Sequence, residues 1–194
     1  MKIFKNLIVS FAIITAICLI SAPAFAADTY EVDPVHSSVV FKVGHLNIGT
    51  VIGMFTDFTG TIIADKENPE KSSVEMTVKA ASVNTHVDKR DDHLRTNEFF
   101  NATLFPEIKF KSTGVKKIDD KTFEVSGNFT LHGITKEMTV TVHFLGEGND
   151  PWGGYRMGFE TEFDVIRSEF GMTQLIPAAG DKARVILAIE AVKK

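Results

Sequence analysis

The chain has 194 residues, a formal net charge of −4 and one cysteine. A length of this order suits one domain, which buries roughly 68–70% of its unfolded surface. The acidic balance, without a basic cluster, argues against nucleic acid as the main partner, and a lone cysteine excludes a disulfide framework.

Residues 1–26 read as a signal peptide: Lys2 and Lys5, an apolar run from Leu7 to Ile20, then Ala24-Phe25-Ala26 as a small-x-small cleavage pattern. The expected address is the periplasm, with secretion past an outer membrane as the alternative. Cleavage after Ala26 leaves 168 of the 194 residues, removes Cys18, and moves the charge from −4 to −6 by deleting two lysines and no acids. The domain is therefore expected over 27–194, with no transmembrane span, since no further apolar stretch approaches the ~18 residues of a membrane helix.

From Ser37 onward the dominant signal is alternation with period two, one face apolar and the other polar. Val39, Phe41 and Val43 open it. Val51, Gly53 and Phe55 lead into Phe58, Gly60, Ile62 and Ala64, a long run with a bend expected at Gly53 or Asp57. Val74, Met76, Val78 and Ala80 follow. Asn84-Thr85 then begins the one credible helix, over about 85–97, with Thr85 as cap and Asp88 three residues on. Helical spacing puts Arg90, His93, Leu94 and Asn97 on one face.

Alternation resumes at Ile108 and Phe110, then in Phe123, Val125, Gly127, Phe129 and Leu131. It continues in Met138, Val140, Val142 and Phe144, in Met157, Phe159, Phe163 and Val165, and in Val185, Leu187 and Ile189. Asn68-Pro69, Asp119-Asp120, His132-Gly133, the Gly146-to-Gly154 loop and Pro177 to Gly180-Asp181 punctuate the runs as turns. The count is about eight strands. One helix is too little to cover such a sheet, so it must close on itself or fold into a sandwich. Thirteen phenylalanines, sixteen less Phe4, Phe11 and Phe25, make the interior aromatic. Period two does not distinguish a packed interior from a hollow one.

Five segments in order resemble the YceI family of periplasmic polyisoprenoid-binding proteins. They are Tyr30-x-Val32-Asp33-x-x-His36-Ser37-x-Val39-x-Phe41-x-Val43-x-His45; Val51-x-Gly53-x-Phe55-x-x-Phe58-x-Gly60; Ala81-Ser82-x-x-Thr85 with Arg90-Asp91-x-His93-Leu94 and Phe99-Phe100 to Pro106-x-Ile108-x-Phe110-x-Ser112; Gly127-x-Phe129-Thr130-Leu131-x-Gly133-x-Thr135-Lys136; and Arg167-x-x-Phe170-Gly171. Tyr30 stands where the family often has Trp. The resemblance implies an all-β, eight-stranded antiparallel, lipocalin-like barrel with the short helix as its lid. It further implies a long isoprenoid or fatty-acyl chain in the cavity, no cofactor beyond that lipid, and a homodimer.

For such a cavity the inward rows nominate Phe41, Val43, Phe55, Phe58, Ile108, Phe110, Phe129, Leu131, Val142, Phe144, Phe159 and Phe163 as its apolar wall. His45 and Arg167 each end an apolar row, either at a barrel mouth near a ligand's polar head or simply in solvent. Arg90, Asp91 and His93 on the lid either meet that head or pin the helix to the rim through an Arg–Asp pair. His132 and His143 read as surface residues, and Phe99-Phe100 as a plug under the helix. No His-x-His or His-x-x-x-His pair supports a metal, and no Gly-x-Ser-x-Gly elbow supports a hydrolase. Three functions stay open: a lipid carrier or store, an enzyme using His93 or His45 on such a lipid, and a self-filled scaffold barrel.

Overall fold

The structure, a computed structural model, describes residues 27–194; the expected signal segment lies outside them. Eleven strand segments and one helix follow in order: β1 (Asp28–Val32), β2 (Ser38–His45), β3 (Gly49–Phe55), β4 (Phe58–Ala64), β5 (Ser73–Lys79), β6 (Val83–Asn84), α1 (Asp88–Arg95), β7 (Glu107–Lys117), β8 (Thr122–Leu131), β9 (Ile134–Asn149), β10 (Tyr155–Ile166) and β11 (Ala179–Lys193). β9 runs through Gly146, so the expected 146–154 loop shrinks to the turn at 150–154.

These segments are eight strands, three of them broken. β1 and β2 flank residues 33–37, β3 and β4 flank 56–57, and β5 and β6 flank a single 3-10 turn, Ala80–Ser82. β1 pairs with β4 while β2 pairs with β3; β4 pairs with β5 while β3 pairs with β6. β5, β7, β8, β9, β10 and β11 then follow as antiparallel neighbours. The far edge of β11 closes the ring, first on β2 up to Ala188 and then on β1 from Ala191 to Lys193. The chain is thus a closed eight-stranded antiparallel barrel in sequence order, with no free edge to cap. The long second strand bends at Asp57, one of the two positions expected.

Inward rows are apolar and outward rows carry Glu124, Ser126, Asn128 and Thr130 on β8 and Glu160, Glu162 and Asp164 on β10. Ser126 pairs with Thr139, and Thr130 with Thr135, both hydroxyl to hydroxyl at 2.8 Å. That polarity is the reverse of a lipid-embedded barrel, whose apolar face is outside. Among the described residues no helix is long and apolar enough to cross a membrane.

Inward glycines make room for rings. A Cβ at Gly53 would lie 2.3 Å from Cζ of Phe41, and one at Gly127 would lie 2.5 Å from Cζ of Phe110. Gly53 makes room for Phe41 directly across from it, and Gly127 for Phe110 diagonally across on β7. Packed rings gather in two places: Phe55, Phe58 and Val83 with Val32 and Val78 at the corner where strands break, and Phe129 with Phe170 and Met172 of the β10–β11 connection.

The break at 33–37 is held by a polar clasp. Asp33 N donates to Glu190 O at 2.8 Å, and Ser37 Oγ donates to the same carbonyl at 3.1 Å. Arg156 Nη1 donates to Asp33 Oδ2 and to Glu190 Oε1, both at 2.6 Å, and its Nε donates to Asp150 Oδ2 at 2.7 Å. The guanidinium, and then His36, hold the Asp33 carboxyl well below the ordinary carboxylate range. The folded carboxyl therefore stays ionised until the pH is very low, while that of the unfolded chain protonates near pH ~4. The clasp's contribution is complete above that value and is lost as pH falls through the folded one. Arg156→Met removes the cation and leaves three carboxylates facing each other. In thermal melts from pH 8 to 2, the variant's deficit against wild type is expected to be several degrees at pH 7 and to shrink below pH ~4 as the carboxylates protonate. A deficit independent of pH would remove the ion pairing from the explanation.

Candidate functional site

The barrel is hollow. A cavity of about 1050 Å³ runs through its interior, at the upper end of the ~300–1,000 Å³ of ordinary ligand pockets. Liquid water at ~30 Å³ per molecule would fill it with on the order of 35 molecules, mostly against carbon. The inward side chains of β11, Val185, Leu187 and Ile189, are only half-buried because they border this space and not a facing wall. On β10 the wall extends from Met157 to Val165, roughly 20 Å along the barrel axis at ~3.3 Å per residue and a ~40° tilt.

Of the apolar residues nominated from sequence, Phe41, Val43, Phe55, Ile108, Phe110, Phe129, Leu131, Val142, Phe144, Phe159 and Phe163 border the cavity. Phe58 does not. It follows the bend at Asp57, and its ring is buried in the corner cluster with Val32 and Val83. Phe99 and Phe100 are both plug and wall: Phe55 meets Phe100 edge-on at 5.4 Å, His93 meets Phe99 edge-on at 5.0 Å, and both phenylalanines border the cavity.

The two ends differ in charge. At the end away from the helix, the lysines in the wall are paired: Lys66 with Glu147 at 2.7 Å and Lys117 with Asp120 at 2.8 Å. At the helix end the wall carries His45, Arg90, His93 and Arg167. Neither arginine has a carboxylate within ion-pair distance among the described residues.

Arg167 is 7% exposed. Its Nε donates to Gly180 O at 2.9 Å, and its Nη2 to Ala179 O at 3.0 Å and Gln174 O at 3.4 Å. Burial pushes its pKa down, a measure of how poorly the charge is solvated there. The guanidinium carbon lies 6.0 Å from the Phe99 ring centre. An unpaired, desolvated cation in the wall of an apolar space is a strong attractor for an anionic group.

The helix is shorter than expected, Asp88–Arg95, and Val87 occupies the cap position. His86 at φ 61° turns the chain before the helix starts, so Thr85 stands too far back to cap it. Thr85 instead organises the lid. Its N and Oγ1 donate to Asp91 Oδ1 at 2.9 and 2.5 Å, while Arg90 Nε donates to Thr85 Oγ1 at 2.7 Å and Arg90 Nη2 to Thr85 O at 2.9 Å. Asp91, 4% exposed, is therefore a buried anchor turned away from the cavity, which corrects its nomination as a head-group ligand. The pin works through the threonine and not through a direct Arg90–Asp91 pair. Thr85→Val, which strips the hydroxyl from between the two charges, is expected to cost about 1–3 kcal/mol, read as a lower urea midpoint. An unchanged midpoint would show that Thr85 does not anchor the lid.

His93 pairs with Glu98 at the rim, both half exposed, and Asn97 lies beyond the helix on the surface. His143 is exposed, as expected. His132 is not a surface residue: its Nδ1 donates to Phe170 O at 3.0 Å, its ring meets Phe105 at 4.7 Å, and its Nε2 is buried. The turn at His132-Gly133 folds the ring back under Phe105. Asp33, His36 and Glu190 have donor atoms within 4.8 Å of one another, but Arg156 already occupies both carboxylates, so a cation would have to displace the guanidinium.

Residues 30–191 match the model of the YceI-like domain. The chain belongs to the YceI family. A UPF0312 protein of Azotobacter vinelandii is 39% identical over 173 residues, 88% of this chain and 90% of that one. Protein YceI of Salmonella newport is 37% identical over 178 residues, 91% and 93% of the two chains. The solved YCEI protein of Campylobacter jejuni superposes with a TM-score of 0.69 at 26% identity, over 95% of this chain and 99% of that one. A polyisoprenoid binding domain from Saccharophagus degradans superposes with a TM-score of 0.65 over 88% and 100% of the two chains; at 13% identity that likeness is one of fold. YceI motifs at Arg90-Asp91 and Arg167 thus fall on the lid anchor and on the buried cation. The Thr85 relay was missed from sequence, although Thr85 stands inside the quoted motif.

Proposed function

We propose that this YceI protein binds a single long-chain lipid, tail in the barrel and head at the helix end, and carries or stores it in the periplasm. The observation that carries the reading is the apolar cavity itself, about 1050 Å³ inside a closed barrel. Burying ~400 Å² of a hydrocarbon tail there is worth roughly 10 kcal/mol before ordering costs. The shared fold of a polyisoprenoid binding domain supports an isoprenoid-type tail. Arg167, joined by Arg90, marks where a phosphate or carboxylate head fits, because these are the wall's arginines and neither has a carboxylate partner among the described residues; Lys89, also without one, stands exposed at the rim.

The reading is of a binding protein, not a catalyst. The histidines at the mouth support this: His93 is held by Glu98 at the solvent-exposed rim, and His45 ends a strand. Native mass spectrometry of protein purified without detergent is the test. A mass increment that organic extraction releases as an intact lipid is the expected result. Protein of bare-chain mass, refusing added prenyl phosphates and fatty acids, would sink the reading, and a lipid chemically altered on incubation would favour an enzyme.

A further inference from the structure

Around the helix-end mouth, apolar side chains point outward where a barrel tip is normally polar. Leu46 and Ile48 on the β2–β3 turn are 52% and 85% exposed, Leu175 before β11 is 51% exposed, and Val87 and Ile176 flank them. Two of the exposed leucines are also strained: Leu46 at φ 53° and Leu175 at φ 59° lie in the left-handed region that a bulky side chain rarely adopts. The loops are tied to each other and to the wall. Leu46 N donates to Ala178 O and Ala179 N to Leu175 O, each at 2.7 Å, while Arg167 holds Ala179 O and Gly180 O from below. Strain maintained by surrounding bonds, on side chains that contribute little to the core, points to presentation of those side chains.

Charge decides what they are presented to. His45, Lys89, Arg90 and Arg167 lie in the wall at this mouth. Of the neighbouring acids, Asp91 is buried against Thr85, Asp92 pairs with Arg95, Glu98 with His93 and Glu169 with Lys136, and Asp181 bonds Ser168; exposed Asp88 offsets one of the cations. A second copy brought mouth to mouth would set cations against cations. An anionic lipid surface would meet both the cations and the apolar tips.

We propose that the rim formed by Leu46, Ile48, Val87, Leu175 and Ile176 docks onto an anionic bilayer, so that a lipid passes between membrane and cavity without crossing water. The passage rests on the lipid-binding reading; the docking does not. The double variant L46N/L175N tests it, since asparagine tolerates the left-handed conformation and should keep or raise the melting temperature while removing the apolar tips. Co-sedimentation uses equimolar phosphatidylglycerol and phosphatidylcholine vesicles, with pure phosphatidylcholine vesicles alongside. The wild type is expected to sediment with the anionic vesicles at least tenfold more strongly than with the neutral ones. The folded double variant should lose at least tenfold of that binding, and native mass spectrometry should show its cavity still filled. A wild type that stays in the supernatant, or a double variant that sediments equally, overturns the proposal. So does a dimer of the wild type on size exclusion that the double variant abolishes, which would assign the rim to a second copy. Vesicle binding by a protein whose cavity takes no lipid would leave the docking standing and remove the lipid-binding reading instead.

Discussion

Val185→Trp is expected to abolish retention of a long-chain lipid while leaving the barrel folded. Val185 stands opposite Phe41 on β2 and Phe163 on β10, and its side chain borders the cavity. Val185 packs on one side against the Val165–Phe129 cluster, and the added atoms of an indole have the cavity to extend into. In a packed core such an enlargement costs about 1–3 kcal/mol through forced rotamers; here it buries apolar surface. Strand content by circular dichroism should therefore be unchanged and the melting temperature equal or higher. The tail, by contrast, loses the deeper part of its path. If half of roughly 10 kcal/mol of burial is lost, affinity falls on the order of a thousandfold. Native mass spectrometry would read the loss as bare protein. Collapse of the strand signal, together with no lipid in the wild type, would mean that the interior is closed by its own phenylalanines.

Arg167→Met should weaken a lipid with a phosphate head far more than the corresponding uncharged alcohol. One charge-assisted hydrogen bond is worth about 1.5–3 kcal/mol, so the expected difference is roughly ten- to a hundredfold in affinity. Arg167 also bonds the carbonyls of Gln174, Ala179 and Gly180, so its removal must loosen that loop. Arg167→Lys separates the two roles: it keeps the charge but cannot span three carbonyls with a planar fork. If the charge binds the head, Lys restores the preference for phosphate over alcohol even where stability stays low. Equal losses for both lipids in the Met variant, with no rescue of preference by Lys, would leave Arg167 as a rivet of the loop.

The architecture was largely legible in the sequence because period two reports which way each side chain faces; eight such runs with one helix leave closure or a sandwich, and the resemblance to the YceI family pointed to the barrel. Phe41, Phe110, Phe129 and Phe163 were nominated on that ground and border the cavity. Phe58 was nominated on the same ground and does not. The alternation that carries it is interrupted two residues earlier, so its inward direction leads into a corner and not into the lumen. His132 sits on the polar register of β8 and was taken as surface, yet the turn that follows folds its ring under Phe105. The lid illustrates a different loss. Thr85 and Asp88 have capping spacing, but His86 in the left-handed region breaks the approach, and the threonine bonds Asp91 from outside the helix.

The sequence by itself determined the strands, the apolar character of the interior and the position of the one helical interruption, all of which follow from local periodicity; the barrel was implied by the resemblance to the YceI family. Only the tertiary structure decided that the barrel is hollow, that Arg167 and Arg90 face its mouth without a carboxylate while Asp91 is spent on Thr85, and that Leu46 and Leu175 are held outward beside that mouth. Those outcomes depend on distances between residues far apart in the chain. Whether opposite walls meet, and which acid reaches which base, is set by how the strands bend at 33–37, 56–57 and Ala80–Ser82. Periodicity carries no information about such distances.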